Sequence, residues 1–198
     1  MQSIKVIKNF ISMEDASTLI EYIDHNLNSF SSDMNGFWFK KFFGIDDIYK
    51  HGKGEPIIDG LGDIKGLSVK IVEYIKNTIS EQFNDPEPIF LNSFWFAKHL
   101  PGDNVQAHVD TEDGYNQQFV YSAILYLNTV NDGGVLDFTN LNLSFKPEAC
   151  DLIIFPSNGE EMLHEVMGIG EDRYTLPMWF TKDKDLELKF AGDIEKSS

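Results

Sequence analysis

Arginine is nearly missing from this chain: of its 16 basic residues fifteen are lysines, and only Arg173 carries a guanidinium. Cysteine is as scarce. Cys150 stands alone, which excludes an intramolecular disulfide and makes a reducing compartment the expectation. No stretch approaches the ~20 apolar residues of a membrane-spanning helix, and the opening MQSIKVIKNF is too polar for a secretory signal. A cytoplasmic protein with no membrane association is therefore expected. Positive charge is short overall, with 32 acidic residues against 16 basic ones and a net charge of −16. Such a surface repels phosphate backbones and argues against a nucleic-acid partner. Nothing in the composition speaks to oligomeric state.

What is present is a globular core: 198 residues, 42% hydrophobic, with 16 phenylalanines. Ser12 and Asp15 have the spacing of a capping box, and Ala16, Leu19, Ile20, Ile23 and Leu27 follow with helical periodicity. A glycine-studded, loop-like stretch separates this helix from a second over about 64–83, where Leu67, Ile71, Ile75, Ile79 and Phe83 recur every four residues. Asp85-Pro86-Glu87-Pro88 ends it, because proline cannot continue a helix and biases the residue before it to extended backbone. From Ile89 the texture changes to short β runs, over 89–97, 105–110, 118–128, 134–138, 143–146, 151–155, 164–167 and 173–181. Eight such strands after two helices predict an α+β, mainly β fold: a double-stranded β-helix (jelly roll) core with N-terminal helices packed outside. The expected plan is a single domain over 1–198. It divides into a helix-rich support region over 1–88, a catalytic core over 89–182 and a surface tail over 183–198.

Chemistry concentrates in the β half. His108 and Asp110 lie two apart in or just after a strand, so they share a face and can converge on one metal. His164, which opens a β run after the Pro156-Ser157-Asn158-Gly159 turn, is the best third ligand among the remaining histidines. Two histidines and one carboxylate make the facial triad that leaves coordination positions open for iron(II) chemistry. Arg173 follows nine residues later. A turn through Gly168-Ile169-Gly170 is expected to return its strand beside the one carrying His164, so that the guanidinium enters the same barrel and grips a carboxylate in bidentate fashion. The competing account of Arg173 is a surface ion pair with Glu171 or Asp172.

The order of these motifs resembles the 2-oxoglutarate-dependent prolyl hydroxylases, and within them the hypoxia-sensing prolyl hydroxylases. His108-Val109-Asp110, Ile124-Leu125-Tyr126-Leu127-Asn128, Gly133-Gly134, His164-Glu165-Val166 and Arg173-Tyr174 with Trp179 all have counterparts in register, over roughly 89–182. The resemblance implies that His108, Asp110 and His164 bind Fe(II), and that Arg173 and Tyr126 bind the distal carboxylate of 2-oxoglutarate. It implies hydroxylation of a C–H bond with O2, release of succinate and CO2, and ascorbate as reductant. Strand parity agrees: Ser122, Ile124 and Tyr126 share one face, as do Arg173, Thr175, Pro177 and Trp179. Trp179 reads equally as pocket wall or plain core. There is one departure. The relatives carry a tyrosine just before the Pro-Gly turn, where this chain has His99-Leu100-Pro101-Gly102, so His99 or nothing supplies the polar contact.

The substrate implied is a prolyl residue in a peptide or protein, entering over a mouth lipped by 112–118 and the aromatic stretch 37–43. A free amino acid or other small metabolite is the runner-up substrate. Oxidative nucleic-acid demethylation fits the charge poorly. The reading from a different class is a non-catalytic, cupin-like module that holds metal or senses a ligand without turnover.

Overall fold

A computed structural model of the chain describes residues 4–26, 30–31, 42–43, 49–52, 55–58, 60–111 and 116–190. The strands are β1 (Lys5–Ile7), β2 (Phe30–Ser31), β3 (Phe42–Phe43), β4 (Tyr49–Gly52), β5 (Glu55–Ile58), β6 (Phe90–Phe94), β7 (Ala97–His99), β8 (Val105–His108), β9 (Tyr121–Tyr126), β10 (Val135–Phe138), β11 (Leu143–Phe145), β12 (Leu152–Pro156), β13 (His164–Met167), β14 (Arg173–Thr181) and β15 (Lys189–Phe190). Two α-helices accompany them, α1 (Met13–His25) and α2 (Lys65–Phe83). A major sheet runs β1-β12-β9-β14-β7-β3-β2, with β6 also on β14; a minor sheet runs β11-β10-β13-β8; β15, β5 and β4 form a third, small one. The major and minor sheets face each other as a jelly roll, and the helices cover the outer face of the major sheet.

Burial explains this layering. In β14 all nine residues are buried, and the side chains divide by parity. Tyr174, Leu176, Met178 and Phe180 join the core shared with α1 and α2, while Arg173, Thr175, Pro177 and Trp179 line the cleft between the sheets. β12 does the same, sending Leu152 and Ile154 to the helix side and Ile153 and Phe155 to the inter-sheet side. A strand covered on both faces needs an unbroken apolar run, and Leu152-Ile153-Ile154-Phe155 is one. Each fully buried side chain of this size contributes roughly 1.5–3 kcal/mol.

The helices form where periodicity places them. The Ser12 hydroxyl accepts the Asp15 N–H at 3.0 Å, and α1 buries Ala16, Leu19 and Ile23 on one stripe. α2 buries Ile71, Val72, Ile75 and Ile79 and stops at Asn84, whose left-handed backbone closes the end.

The segment before residue 89 also supplies strands. β1 pairs with β12, Lys5 opposite Ile154, and so becomes an edge of the major sheet, while β2 and β3 extend its far side beyond β7. Strand 89–97 is two strands. Trp95 N–H donates to the Pro177 carbonyl at 3.0 Å, but Pro177 has no N–H to return, so the ladder breaks between β6 and β7. The expectation for the Gly168-Ile169-Gly170 turn is corrected as well. It does not fold β14 back beside β13. Both edges of β13 are already taken, by β10 and β8, so the turn crosses to the opposite sheet and β14 settles between β9 and β7. Glycine is required at this crossing: Gly133 has a φ of +70°, and a Cβ there would run into the Gly168 carbonyl oxygen. The expected lips 37–43 and 112–118 lie largely outside the described residues, as does the tail beyond Phe190.

Candidate active site

The minor sheet supplies the His-Asp-His cluster. His108 ends β8 and His164 begins β13, and the two are direct cross-strand partners, with ring centroids 4.2 Å apart. Asp110 lies just past the end of β8, yet its Oδ1 is 3.3 Å from His108 Nε2. One ligand atom from each of the three residues falls within 4.8 Å of the others, a separation a single ion can bridge.

Each side chain is held in place by its own partners. His108 Nδ1 lies 2.8 Å from the Gln106 carbonyl and His164 Nδ1 2.9 Å from the Met162 carbonyl. A carbonyl only accepts, so both Nδ1 atoms carry a proton, and in the neutral imidazole this leaves the lone pair on Nε2, the tautomer a metal needs. Asp110 is fastened by its other oxygen: Ser122 Oγ donates to Oδ2 at 2.6 Å and stands 2.8 Å from Ser157 Oγ. Burial pushes the Asp110 carboxyl up. The His108 and Ser122 hydrogen bonds, with the attraction of the two imidazoles whenever they are protonated, outweigh it and hold the group down to about 2. Burial lowers His164 from its usual range against the pull of the Asp110 carboxylate, and His108 beside it adds to the lowering. Sequence reading placed Ser122 on the right strand face without assigning it this contact; Ser157 was only part of a turn. Neither has a signature, since serine in a strand or turn has many uses.

The opposite wall belongs to the major sheet. Arg173 is 3% exposed and projects into a cleft that also contains His108, Asp110 and His164. Its guanidinium meets neutral groups: NH1 is 3.2 Å from His99 Nδ1, NH2 is 3.4 Å from the Tyr126 hydroxyl, and the Tyr126 ring centroid is 5.1 Å from Cζ. The Nε atom is buried and has no hydrogen-bond partner among the described residues. The acids that might have paired with it are engaged elsewhere. Asp172 binds Lys98 at 2.9 Å and Glu171 accepts the Asn131 N–H. Thus the surface-pair account of Arg173 is excluded. Between the two walls the lining is largely apolar, with Val105, Ile124, Leu136, Val166 and Pro177. Trp179 is wall and packing at once, edge-on to Trp95 and stacked over Phe119.

The donor set therefore fits two groups. A small divalent ion suits the two imidazole Nε2 atoms and the ionised carboxylate. A carboxylate-bearing molecule suits the buried cation with an unfilled donor, since an unpaired charge in such a place is costly.

Comparison with known proteins reaches the same class. Residues 94–181 match the family described as 2OG-Fe(II) oxygenase superfamily. None of the curated proteins matches the chain by sequence. Among solved structures, the fold is similar to a viral collagen prolyl hydroxylase from Paramecium Bursaria Chlorella virus-1, with a TM-score of 0.64 and 16% identity over 90% of this chain and 96% of that one. It is similar to a Pseudomonas putida prolyl-4-hydroxylase, with a TM-score of 0.63 and 20% identity over 91% and 93% of the two chains. A Trichoplax adhaerens prolyl hydroxylase, in complex with a peptide fragment of the hypoxia inducible factor oxygen degradation domain, gives 0.60 and 16% over 94% and 86%. Through residues 94–181 the chain thus resembles the 2OG-Fe(II) oxygenase superfamily, the family of 2-oxoglutarate-dependent dioxygenases. The family's cofactors are Fe(II), 2-oxoglutarate and O2.

Proposed function

We propose that the chain hydroxylates a prolyl residue in a peptide or protein, with His108, Asp110 and His164 holding Fe(II) and Arg173 with Tyr126 holding the distal carboxylate of 2-oxoglutarate. One observation carries the assignment of residues. A convergent His-Asp-His cluster faces, across one cleft, a buried arginine that has no carboxylate of its own among the described residues. The choice of a prolyl substrate is supported by the kinds of enzyme that share the fold, one of them in complex with a peptide fragment.

When bound, Fe(II) and 2-oxoglutarate supply the oxidising chemistry that places one oxygen atom of O2 in a C–H bond and releases succinate and CO2. The protein's part is positioning and electrostatics. The Gln106 and Met162 carbonyls fix the imidazole tautomers, and Ser122 keeps one Asp110 oxygen occupied so that the other faces the histidines. Arg173 presents a planar fork that recognises a carboxylate by two parallel bonds, in an apolar cleft where each such bond is strengthened by the exclusion of water.

The test is a screen of prolyl-containing peptides, free amino acids and other small metabolites for succinate release with Fe(II), 2-oxoglutarate and ascorbate, product mass being measured alongside. A peptide gaining one oxygen atom at proline is the expected result. Turnover of a free metabolite but of no peptide would overturn the prolyl-peptide reading. Binding of 2-oxoglutarate with no turnover of any substrate would favour a sensing module.

A further inference from the structure

The departure at His99-Leu100 bears on how the arginine is held. β7 and β14 pair in register with His99 directly opposite Arg173, so both side chains leave the same face of the ladder. The pair is clamped just beyond its end: Gly102 N–H donates to the Ile169 carbonyl at 2.7 Å, and the Leu100 N–H donates to Asp103 Oδ2 at 2.8 Å. His99 is fully buried and its Nδ1 sits 3.2 Å from Arg173 NH1. A guanidinium has no acceptor, so the imidazole must accept and its proton must sit on Nε2.

NH1 lies on the edge of the guanidinium away from Nε. With that side given to His99, the edge formed by Nε and NH2 is the one left for a two-oxygen anion, and Nε has no other partner among the described residues. The nature of the anchor matters as much as its place. A carboxylate at position 99 would orient Arg173 equally well but would neutralise it and compete with an incoming acid. A neutral imidazole orients without consuming charge. Burial, and after it the Arg173 charge, hold His99 well below its usual range, which keeps the anchor neutral.

We propose that His99 is a positioning residue for 2-oxoglutarate: a neutral acceptor that turns the Arg173 fork so that its Nε–NH2 edge meets the co-substrate carboxylate. This rests on the reading of Arg173 given under Proposed function. Three substitutions test it, each measured by calorimetric titration of 2-oxoglutarate onto Mn(II)-loaded protein without oxygen, with thermal unfolding as a check on folding. His99→Leu removes the acceptor and is expected to weaken 2-oxoglutarate about 10-fold, or about 1.4 kcal/mol. His99→Asn returns an acceptor to the Nδ1 position and is expected to stay within about 3-fold of wild type. His99→Gln moves the acceptor one bond further out, to the Nε2 position, and is expected to resemble Leu. Mn(II) affinity is expected to be unchanged in all three.

Unweakened binding in the Leu variant overturns the proposal. So does an Asn variant as weak as the Gln variant, and this arm decides the matter if the Leu variant does not fold. A merely structural histidine would lower thermal stability in all three variants without ranking 2-oxoglutarate affinity by where the acceptor sits. Arg173→Ala separates this inference from its premise. If Arg173→Ala binds as wild type, the co-substrate reading itself fails; if it is weak while His99→Leu is not, only the role of His99 does. In the double variant the His99→Leu effect is expected to vanish, because the fork it positions is gone.

Discussion

Two cations stand one register apart on the ladder of β7 and β14, and the molecule treats them oppositely. Lys98 pairs with Tyr174 and faces outward; His99 pairs with Arg173 and faces the cleft. Lys98 is saturated, with Asp24 and Asp172 each 2.9 Å from its ammonium and the Tyr174 ring below it at 4.8 Å. Burial pulls the Lys98 pKa down, but the bonds from Tyr174, Asp172 and Asp24 outweigh it and raise the group above its normal range. Among the described residues Arg173 has only a neutral imidazole and a phenol. The outer cation has its counter-ions built in and fastens α1 to the sheet. Among the described residues the inner one has no anion beside it, as the proposed role in holding an acidic ligand requires.

The largest expected effect is across the cleft from this pair. Asp110→Ala should reduce divalent-metal affinity at least ~100-fold, since altering even the groups behind a ligand costs 10–100-fold. Competitive titration against a fluorescent chelator checks it, with near-native far-UV circular dichroism expected. Loss of the fold together with the metal would make the site structural.

The contrast itself breaks or holds on a pair of methionine substitutions. Arg173→Met should weaken 2-oxoglutarate ~10-fold or more, because hydrogen bonds to charged groups run about 1.5–3 kcal/mol. It should leave the apo protein as stable as wild type or more so, a buried cation without a counter-ion among the described residues having been removed. Arg173→Lys keeps the charge without the planar fork and should fall between the two. Lys98→Met should do the reverse. It is expected to lower unfolding free energy in urea by about 1–2 kcal/mol, below the 3–5 kcal/mol of a fully buried broken pair because Asp24 and Asp172 remain 42% and 43% exposed. Affinity for 2-oxoglutarate should not change. Equal stability losses in both methionine variants would erase the distinction.

Acid should act through the inner face. His99 is neutral when folded, with its pKa depressed by burial and by Arg173, and titrates near 6.5 when unfolded. Its contribution to stability is therefore complete above about pH 6.5 and falls as pH drops below that value towards the folded pKa, by up to about 1.4 kcal/mol per pH unit. Unfolding temperatures of apo wild type and His99→Asn between pH 7 and 5 should diverge, the variant losing less. The smallest effect belongs to Tyr126→Phe. Its hydroxyl lies 3.4 Å from Arg173 NH2, a long contact, so 2-oxoglutarate should weaken only a few-fold and metal affinity should not move.

The His-Asp-His cluster was legible because metal ligation uses few residue types at fixed local spacing, and His108 with Asp110 is a local pair. Arg173 stood out by rarity. The double-stranded β-helix was legible from strand number and from the order of two helices followed by eight short β runs. Less legible were β1, three residues with no alternation to read, and the break at Trp95, which depends on a proline in another strand. Ser122 and His99 were visible as positions without visible partners.

By itself the sequence determined which residues share a strand face, since the alternation of side chains is a property of extended backbone. That placed Ser122, Ile124 and Tyr126 together, and Arg173, Thr175, Pro177 and Trp179 together. Which faces meet was decided only by the tertiary structure. A turn through Gly168-Ile169-Gly170 can return a strand to its neighbour or carry it to the opposite sheet, and the local backbone permits both. The outcome depended on hydrogen-bonding capacity elsewhere: β8 and β10 had filled both edges of β13, so β14 crossed the barrel. That crossing sets Arg173 facing the His-Asp-His cluster rather than beside it, and leaves room between them for a ligand.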